Sequence, residues 1–427
     1  MGKAPECACY NWISADKCQT KIEKRKESMI SKKVQTALAG SSAIRAMFVE
    51  GKEMAKKYGA ENVYDFSLGN PATPAPQALN DAIIKLAKEA ANDNTSLELH
   101  GYMSNSGYPE VRGAIAENLN KRFGTDFDEH NVVMTVGAAG GLNIIFKTIL
   151  DPEDEVIVFA PFFGEYRQYA ANFDAKLVVV APNLETFQPD LADFEAKITA
   201  KTKAVIINTP NNPTGVIYSP QTMQALGAIL EKKQEEIGHD IYLVSDEPYR
   251  ELVYDGASED FFTKYYKNTI VGYSFSKSLS LPGERIGYVV VPNEASDAEE
   301  LLRGLELSNR TLGFVNAPSL MQKAVACCLE EKTDVAFYDR NRKLLYEGLT
   351  ELGFTCVKPQ GAFYLWMKSP VANEEEFVTA GKKYHILMVK GSAFGCPGYV
   401  RLAYCVSYEM IERAMPAFAK LAKEYDL

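Results

Sequence analysis

Seven short apolar runs between residues 131 and 292 constrain the fold of this chain more than any other feature. A strand with one face in water alternates apolar and polar residues, but several of these runs are nearly continuous, so we predict strands buried on both faces. The runs read NVVMTVG, DEVIVFAP, AKLVVVAP, KAVIINTP, DIYLVSDE, NTIVGYSFS and RIGYVVVP. Amphipathic helical segments such as PEVRGAIAENLNKRF and QTMQALGAILEKKQEE accompany them. This alternation predicts an α/β protein whose mostly parallel sheet is sandwiched by helices.

A different pattern follows the helical segment AEELLRGLELSNRT, which marks the exit from this large domain. Long helical segments come next, and then the strand-like runs GAFYLWMK, YHILMVKGSAFG and YVRLAYCV. With 427 residues the chain is long enough to bury a second core. We therefore predict a smaller α+β domain at the C-terminal end.

Charge and hydropathy exclude two classes of partner. The net charge of −10 and the isoelectric point of about 5.2 argue against a nucleic-acid partner, because phosphate binding needs a basic face. No apolar run approaches the roughly 20 residues that span a membrane, and the start of the chain has no hydrophobic signal core. We therefore expect a cytoplasmic protein.

Eight cysteines are most simply free thiols in a large intracellular chain. Cys7, Cys9 and Cys18 give a C-x-C pair and one distant cysteine with no nearby histidine, which is a weak match to zinc spacing. We therefore predict no metal site there and expect a polar N-terminal extension that is mobile.

Polar residues cluster at the C-terminal ends of the predicted strands. AVIINTP runs into NNPTG, which contains Asn212, and IYLVSDE ends at Asp246 with Tyr249 shortly after. IVGYSFS ends with two serines and Lys277, and VVMTVG runs into the small-residue turn AAGG. Each feature has an ordinary alternative, because glycine-rich turns, helix-capping aspartates and surface lysines are common. Since ligands bind beyond the carboxyl ends of strands in open α/β sheets, their coincidence predicts one binding site.

This set of groups suits pyridoxal 5′-phosphate. A desolvated lysine amine near another cation loses its proton more easily and becomes a nucleophile toward an aldehyde. The cofactor offers that aldehyde together with a phosphate, a phenolic oxygen and a ring nitrogen that a carboxylate keeps protonated. A glycine-rich helix start can hold the phosphate through its free N–H groups.

The longer motifs carry a family resemblance. The segments SFSKSLSLPGERIGY, NNPTG followed by SDEPY, GYMSNSGYPEVRGAI, SLGNPATPAP, and GSAFG followed by YVRLAY occur in the family's order. Over about residues 30–427 the chain resembles the class I and II aminotransferases, fold type I pyridoxal-phosphate enzymes, and is similar to aspartate and aromatic aminotransferases. The family's usual GEP or GDP reads GNP here.

The resemblance also implies a division of the chain into four parts. Residues 1–28 form the N-terminal extension, for which the family offers no counterpart, and residues 29–68 are expected to pack with the small domain. Residues 69–305 are expected to form the large cofactor-binding domain and residues 306–427 the small domain.

The resemblance implies roles at the cofactor ring. Lys277 is similar to the Schiff-base lysine, and Asp246 to the carboxylate paired with the ring nitrogen. Asn212 and Tyr249 match residues at the phenolic oxygen, and Phe163 stands where an aromatic residue stacks on the ring. Lys277, Asp246 and Tyr249 are the predicted catalytic residues.

The same comparison implies a phosphate site. Ser274 and Arg285 match phosphate ligands, and Ser276 is a weaker match. Ala139 and Gly140 stand where the family uses backbone N–H groups together with a hydroxyl, so here the amides alone would serve.

Further positions match substrate contacts and a partner subunit. Tyr102 resembles a tyrosine that reaches the phosphate from the other subunit, which implies a homodimer with shared active sites. Gly69, Asn212 and Arg401 match the residues at the substrate's α-carboxylate, and a guanidinium suits that task because it binds a carboxylate through two parallel hydrogen bonds. Arg310 lies near the position of a second, partner-derived arginine of aspartate aminotransferases, although its register differs by about one residue.

The implied reaction moves an amino group from an L-amino acid to a 2-oxo acid by a ping-pong mechanism, with aspartate and 2-oxoglutarate as one substrate pair. An arginine at a helix end needs no special function, so Arg310 leaves aromatic or aliphatic donors open. A β-carbon–sulfur lyase or a cyclopropane-forming synthase on the same scaffold is one alternative. A non-enzymatic, aminotransferase-like regulator is another.

Overall fold

Seven strands form one central sheet, which confirms the predicted mostly parallel arrangement. Their bounds are β2 (Val132–Thr135), β3 (Glu155–Phe159), β4 (Lys176–Val180), β5 (Thr202–Asn208), β6 (Tyr242–Asp246), β7 (Thr269–Ser274) and β8 (Gly287–Val290). The strand order is β2-β8-β7-β6-β5-β3-β4. Strand β8 is antiparallel to its neighbours β2 and β7, whereas the remaining pairs are parallel.

Helices cover both faces of this sheet, as continuous apolar strands require. Along β3, Val156 and Val158 belong to one core and Ile157 and Phe159 to the other, and all four are buried. The helices of this part of the chain are α3 (Gln77–Asn92), α4 (Ser96–His100), α5 (Pro109–Phe123), α6 (Gly137–Ile149), α7 (Tyr166–Ala171), α8 (Leu191–Lys197), α9 (Pro220–Ile237), α10 (Phe275–Ser278), α11 (Ala298–Thr311) and α12 (Ser319–Ala326).

Local sequence signals explain where the longer helices start and stop. Helix α5 begins at Pro109, whose fixed φ suits the first helical turn, and Gly124 follows its end with a φ of 70°. Before α9, the Ser219 hydroxyl accepts a hydrogen bond of 3.0 Å from the Thr222 N–H, and Gly238 ends the helix with a φ of 78°.

A second, smaller sheet lies in the C-terminal part of the chain. Its antiparallel strands, in the order β12-β13-β10-β9, are β9 (Cys356–Val357), β10 (Tyr364–Lys368), β12 (Val389–Lys390) and β13 (Tyr399–Ala403). Strand β1 (Tyr64–Asp65) pairs in parallel with β11 (Ile386–Leu387). The helices here are α13 (Val335–Glu351), α14 (Glu374–Lys383) and α15 (Tyr408–Glu424), and 3-10 turns span Ala60–Asn62, Glu129–Asn131, Phe262–Lys264 and Gly391–Phe394. The domain boundaries after residues 68 and 305 stay predictions.

The computed structural model describes residues 29–39, 43–92, 95–257 and 260–427. Helix α1 (Lys32–Ala39) belongs to one unit, and a second unit begins ahead of α2 (Ala43–Tyr58) and runs to the C-terminus. The predicted mobile extension over residues 1–28, with Cys7, Cys9 and Cys18, lies outside the described residues. Within the described ranges, no helix has the length and apolar character that crossing a membrane requires.

Candidate active site

A cavity of about 390 Å³ opens at the carboxyl edge of the central sheet, where a ligand site was predicted. The ends of β5, β6 and β7 contribute to it, and so does the first turn of α6. Eleven predicted residues line it: Gly69, Ala139, Phe163, Asn212, Asp246, Tyr249, Ser274, Ser276, Lys277, Arg285 and Arg401. The fold thus brings together groups that lie up to 332 positions apart in the sequence, while their roles stay predictions.

Lys277 enters the cavity from the one-turn helix α10. The Ser274 hydroxyl caps this helix by accepting a hydrogen bond of 3.2 Å from the Ser276 N–H. The Lys277 Nζ donates a hydrogen bond of 2.6 Å to the carbonyl oxygen of Gly69. Burial, helped by the positive charges of Arg401 and Arg285, lowers the pKa of Lys277 to about 8. About a tenth of this amine is therefore uncharged and nucleophilic at pH 7, far more than for an exposed lysine.

Asp246 ends strand β6 and is buried at the floor of the cavity. The Tyr166 hydroxyl donates a hydrogen bond of 2.6 Å to its Oδ2, whereas its buried Oδ1 has no partner among the described residues. Burial raises the pKa of Asp246 to about 7, against the effect of the Tyr166 hydrogen bond. An orphaned carboxylate oxygen in this place fits a ligand that brings an N–H donor or a positive charge.

An anion cradle closes the end of the cavity beside α6. The backbone of Gly137 adopts a φ of 74°, and a side chain there would come within 2.9 Å of the Arg285 guanidinium. Glycine therefore lets Arg285 reach over the helix N-terminus, where its Nη2 donates a hydrogen bond of 3.2 Å to the carbonyl oxygen of Val136. The hydroxyls of Ser274 and Ser276 lie 2.7 Å apart on the same wall. A helix N-terminus, a guanidinium and two hydroxyls together suit a phosphate dianion.

The other side of the cavity contains a second buried cation. The Arg401 side chain is 1% exposed, and its Nη1 donates a hydrogen bond of 3.0 Å to Asn212 Oδ1. Its Nε is buried and has no partner among the described residues, so the guanidinium keeps donor capacity for a ligand. The Tyr249 and Tyr364 hydroxyl oxygens lie 2.9 Å apart nearby. This region can accept a carboxylate while Tyr249 donates to an oxygen of a bound ring.

Three predicted residues are not part of the cavity lining in this chain. Gly140 lies in α6 beyond the lining residues Ala138 and Ala139. Tyr102 is 94% exposed, and Arg310 is exposed at the end of α11. The last two were predicted to act from a partner subunit, and that prediction stays open.

Sequence reasoning missed three residues that shape the site. The Tyr166 hydroxyl donates a hydrogen bond to Asp246. Tyr364 contacts both the Tyr249 hydroxyl and the Arg401 guanidinium. Asn208 connects two strand ends, since its Nδ2 donates to the Asp246 carbonyl and its Oδ1 accepts from the Asn212 N–H, each at 2.8 Å. A polar residue that ends the apolar run KAVIIN was the available signal for Asn208.

The fold and the cavity define an α/β enzyme with a nucleophilic amine, a buried carboxylate and an anion cradle in one site. The sequence profile "Aminotransferase class I and II" matches residues 61–418. The chain therefore belongs to the class I and II aminotransferase family and is an aminotransferase.

Known proteins with the same fold support this assignment. A solved amino transferase from Eubacterium rectale is 48% identical, with a TM-score of 0.89 over 94% of this chain and 100% of that chain. The aspartate aminotransferase of Thermus thermophilus, solved with maleate, is 28% identical, with a TM-score of 0.81 over 92% and 100%. An aspartate/prephenate aminotransferase of the same organism is 33% identical over 342 residues, which are 78% of this chain and 86% of that protein. These names do not favour the lyase, synthase or regulator alternatives.

Proposed function

We propose that this aminotransferase binds pyridoxal 5′-phosphate in the cavity and moves an amino group from an L-amino acid to a 2-oxo acid by a ping-pong mechanism. The observation that carries the proposal is that the Lys277 amine and the orphaned Asp246 oxygen open into one cavity that ends in an anion cradle. When bound, the cofactor supplies an aldehyde that links to amines and a ring that accepts electrons.

The residues of this chain would then divide the work. Asp246 would hold a proton on the ring nitrogen, and its burial would strengthen that interaction. Asn212 and Tyr249 would donate hydrogen bonds to the phenolic oxygen. Phe163, whose ring packs edge-on against that of Tyr166 with the centroids 5.6 Å apart, would stack on the cofactor ring.

Substrate binding and proton transfer fall to a second set of residues. Arg401 binds the α-carboxylate of the amino acid beside Gly69. Lys277, once its amine is released by the incoming substrate, would take the proton from the substrate's Cα and deliver it to the cofactor carbon that bore the aldehyde. Its low pKa suits this task, because a general base works best when it is uncharged near the working pH.

The decisive experiment is spectroscopic. Purified protein loaded with pyridoxal phosphate should show the visible absorbance of the lysine-bound cofactor, and a good amino donor should convert it to the absorbance of the amine form. Lys277→Ala should abolish the visible band, whereas the exposed control Lys267→Ala should keep it. A band that survives in Lys277→Ala contradicts the assignment of the lysine. No conversion with any amino acid contradicts the proposed reaction.

The proposal includes a homodimer in which Tyr102 of one subunit reaches the phosphate of the other. Tyr102 and Leu97 are 94% and 84% exposed, which is unusual for large apolar side chains. Asn309 Nδ2 donates a hydrogen bond of 2.8 Å to the carbonyl oxygen of Asn105, which joins the Tyr102 segment to the end of α11 that carries Arg310. The two segments with predicted contributions to a partner are therefore neighbours, which supports the proposal. Sedimentation analysis of Tyr102→Phe and wild type, together with cofactor affinity, tests the shared site.

L-Aspartate is the proposed amino donor, with 2-oxoglutarate as the acceptor. The supporting observations are that the names of several relatives include aspartate and that the Thermus structure was solved with the dicarboxylate maleate. Arg310→Ala should then reduce activity with aspartate far more than with alanine. Arg303→Ala, an exposed arginine two turns earlier on α11, is the matched control. Equal losses with both donors contradict a dicarboxylate substrate.

A cytoplasmic location completes the proposal. The described cysteines Cys327, Cys328, Cys356, Cys396 and Cys405 are free thiols, which agrees with a reducing compartment. Fractionation of the source cells followed by immunodetection tests this point.

A further inference from the structure

The side chain of Tyr364, on strand β10, joins the two ends of the active site. Its hydroxyl oxygen lies 2.9 Å from that of Tyr249, on the cofactor side. Its ring lies under the Arg401 guanidinium, with the guanidinium carbon 4.5 Å from the ring centre. A side chain at residue 69 would collide with the same hydroxyl, so Gly69 lets Tyr364 occupy this position. One phenol therefore contacts residues proposed for both cofactor and carboxylate binding.

The phenol pair can reverse its hydrogen bond. Each phenol has one proton, so Tyr249 can donate to a ligand in the cavity only when it no longer donates to Tyr364. Tyr364 can then donate to the Tyr249 oxygen instead, since either oxygen of the pair can be the donor. Successive hydrogen bonds of this kind strengthen one another in a dry interior.

The charge of Arg401 acts on this chain of hydrogen bonds. Burial raises the pKa of Tyr364 to about 12, and the nearby positive charge of Arg401 opposes that rise. A cation close to a phenol makes its O–H a better donor, whereas a carboxylate bound to Arg401 cancels part of that charge. The strength of the Tyr364 hydrogen bond should therefore depend on whether the carboxylate site is occupied.

We propose that Tyr364 is a positioning residue that transmits the occupancy of the carboxylate site at Arg401 to Tyr249, and through Tyr249 to the phenolic oxygen of the cofactor. This inference rests on the proposed function. Donation to the phenolic oxygen stabilises its anionic form, so it lowers the pKa of the proton shared with the Lys277 nitrogen. Substrate binding weakens this donation, and the shared proton is then held more firmly.

A pH titration of the visible absorbance of the cofactor-loaded protein measures this effect directly. In Tyr364→Phe, which keeps the ring, the pKa of the Lys277–cofactor linkage should rise by about half a unit to one unit. Saturating succinate, an unreactive dicarboxylate, should raise the wild-type pKa and raise it less in the variant. An unchanged pKa together with an unchanged response to succinate overturns the proposal.

Two further comparisons separate this role from a structural one. In a Tyr249→Phe background, Tyr364→Phe should produce no further shift in the pKa, because its path to the cofactor is already broken. An additional shift of equal size overturns the route through Tyr249. Tyr364→Leu, which also removes the ring, should in addition weaken succinate binding. A loss of succinate affinity in Tyr364→Phe with no change in the pKa identifies a purely structural role and overturns the proposal.

The controls distinguish this inference from the proposed function. Tyr399→Phe removes a phenol oxygen on the neighbouring strand β13, outside the cavity lining, and should leave the titration unchanged. If the wild-type protein shows no visible band with pyridoxal phosphate, the proposed function fails and the inference fails with it. If the band is present and Tyr364→Phe titrates as wild type, only the inference is overturned.

Discussion

Asp246 and Glu247 are adjacent, buried carboxylates, but their hydrogen-bond partners differ. The two Glu247 oxygens accept hydrogen bonds of 2.7 Å from the Ser245 hydroxyl and from Arg250 Nε. Asp246 accepts only from Tyr166 and keeps one oxygen without a partner among the described residues. Glu247 directly follows the last residue of β6, so one step at the end of this strand separates a carboxylate with an unpartnered oxygen from one in an ion pair with Arg250.

The comparison shows how the same chemical group serves structure or function. Arg250 lies over the ring of Tyr273 at 4.6 Å and that of Phe261 at 5.0 Å, so the charge of Glu247 is neutralised in a closed environment. Burial raises the pKa of both carboxyls, but for Glu247 the Arg250 cation opposes the rise. A buried charge that lacks a counter-charge costs stability, and a site retains it where a ligand provides the counterpart.

Removing the charge of Glu247 should have the largest effect. Glu247→Gln leaves the Arg250 cation buried without its partner, and we expect a loss of about 3–5 kcal/mol in the free energy of unfolding. Urea denaturation of the cofactor-free protein measures it. Glu236→Gln, which breaks an exposed ion pair on α9, should leave the midpoint nearly unchanged. Equal midpoints for the two variants would show that the Glu247 pair is not structural.

Asp246→Asn should produce the opposite result. Activity should fall by about 10²- to 10³-fold, because the neutral amide no longer stabilises a positive ring nitrogen. The free energy of unfolding without cofactor should not decrease, since the substitution removes an unpaired buried carboxyl. Steady-state kinetics and urea denaturation of the same sample test both halves. A large loss of stability would place Asp246 in the same structural class as Glu247.

The pH dependence of stability sharpens the contrast. Burial raises the pKa of Asp246 to about 7 in the folded protein, while an unfolded aspartate titrates near about 3.9. The folded state therefore binds more protons between these values, and the contribution of Asp246 to stability is present below about pH 4 and lost as pH rises through about 7. We expect cofactor-free wild type to lose stability relative to Asp246→Asn over this window, by at most about 1.4 kcal/mol per pH unit. Parallel curves of unfolding free energy against pH for the two proteins would contradict the raised pKa of Asp246.

The sequence was sufficient to place Asp246 at the end of a buried strand, but it did not indicate that Glu247 would lie in a buried ion pair. Asp246 ends a buried strand that the apolar pattern predicted, and the SDEPY motif identified it. Tyr166 could not be predicted, because its contact with Asp246 spans 80 positions and depends on how α7 packs at the end of β3. The roles of Tyr102 and Arg310 stay predictions for a different reason, because their predicted contacts require a second chain.

The hydroxyl donors to the two carboxylates offer the finest test. Tyr166→Phe removes the hydrogen bond that lowers the pKa of Asp246, so the pKa should rise and cofactor affinity should fall by about tenfold or less. Ser245→Ala removes the corresponding donor to Glu247, which still has Arg250. Its expected effect is a loss of about 1 kcal/mol in stability with unchanged cofactor affinity. Fluorescence titration with pyridoxal phosphate and urea denaturation separate the two outcomes. If Ser245→Ala weakened cofactor binding as much as Tyr166→Phe, the surroundings of the two carboxylates at the end of β6 would be coupled, and the division between structural and functional carboxylates would fail.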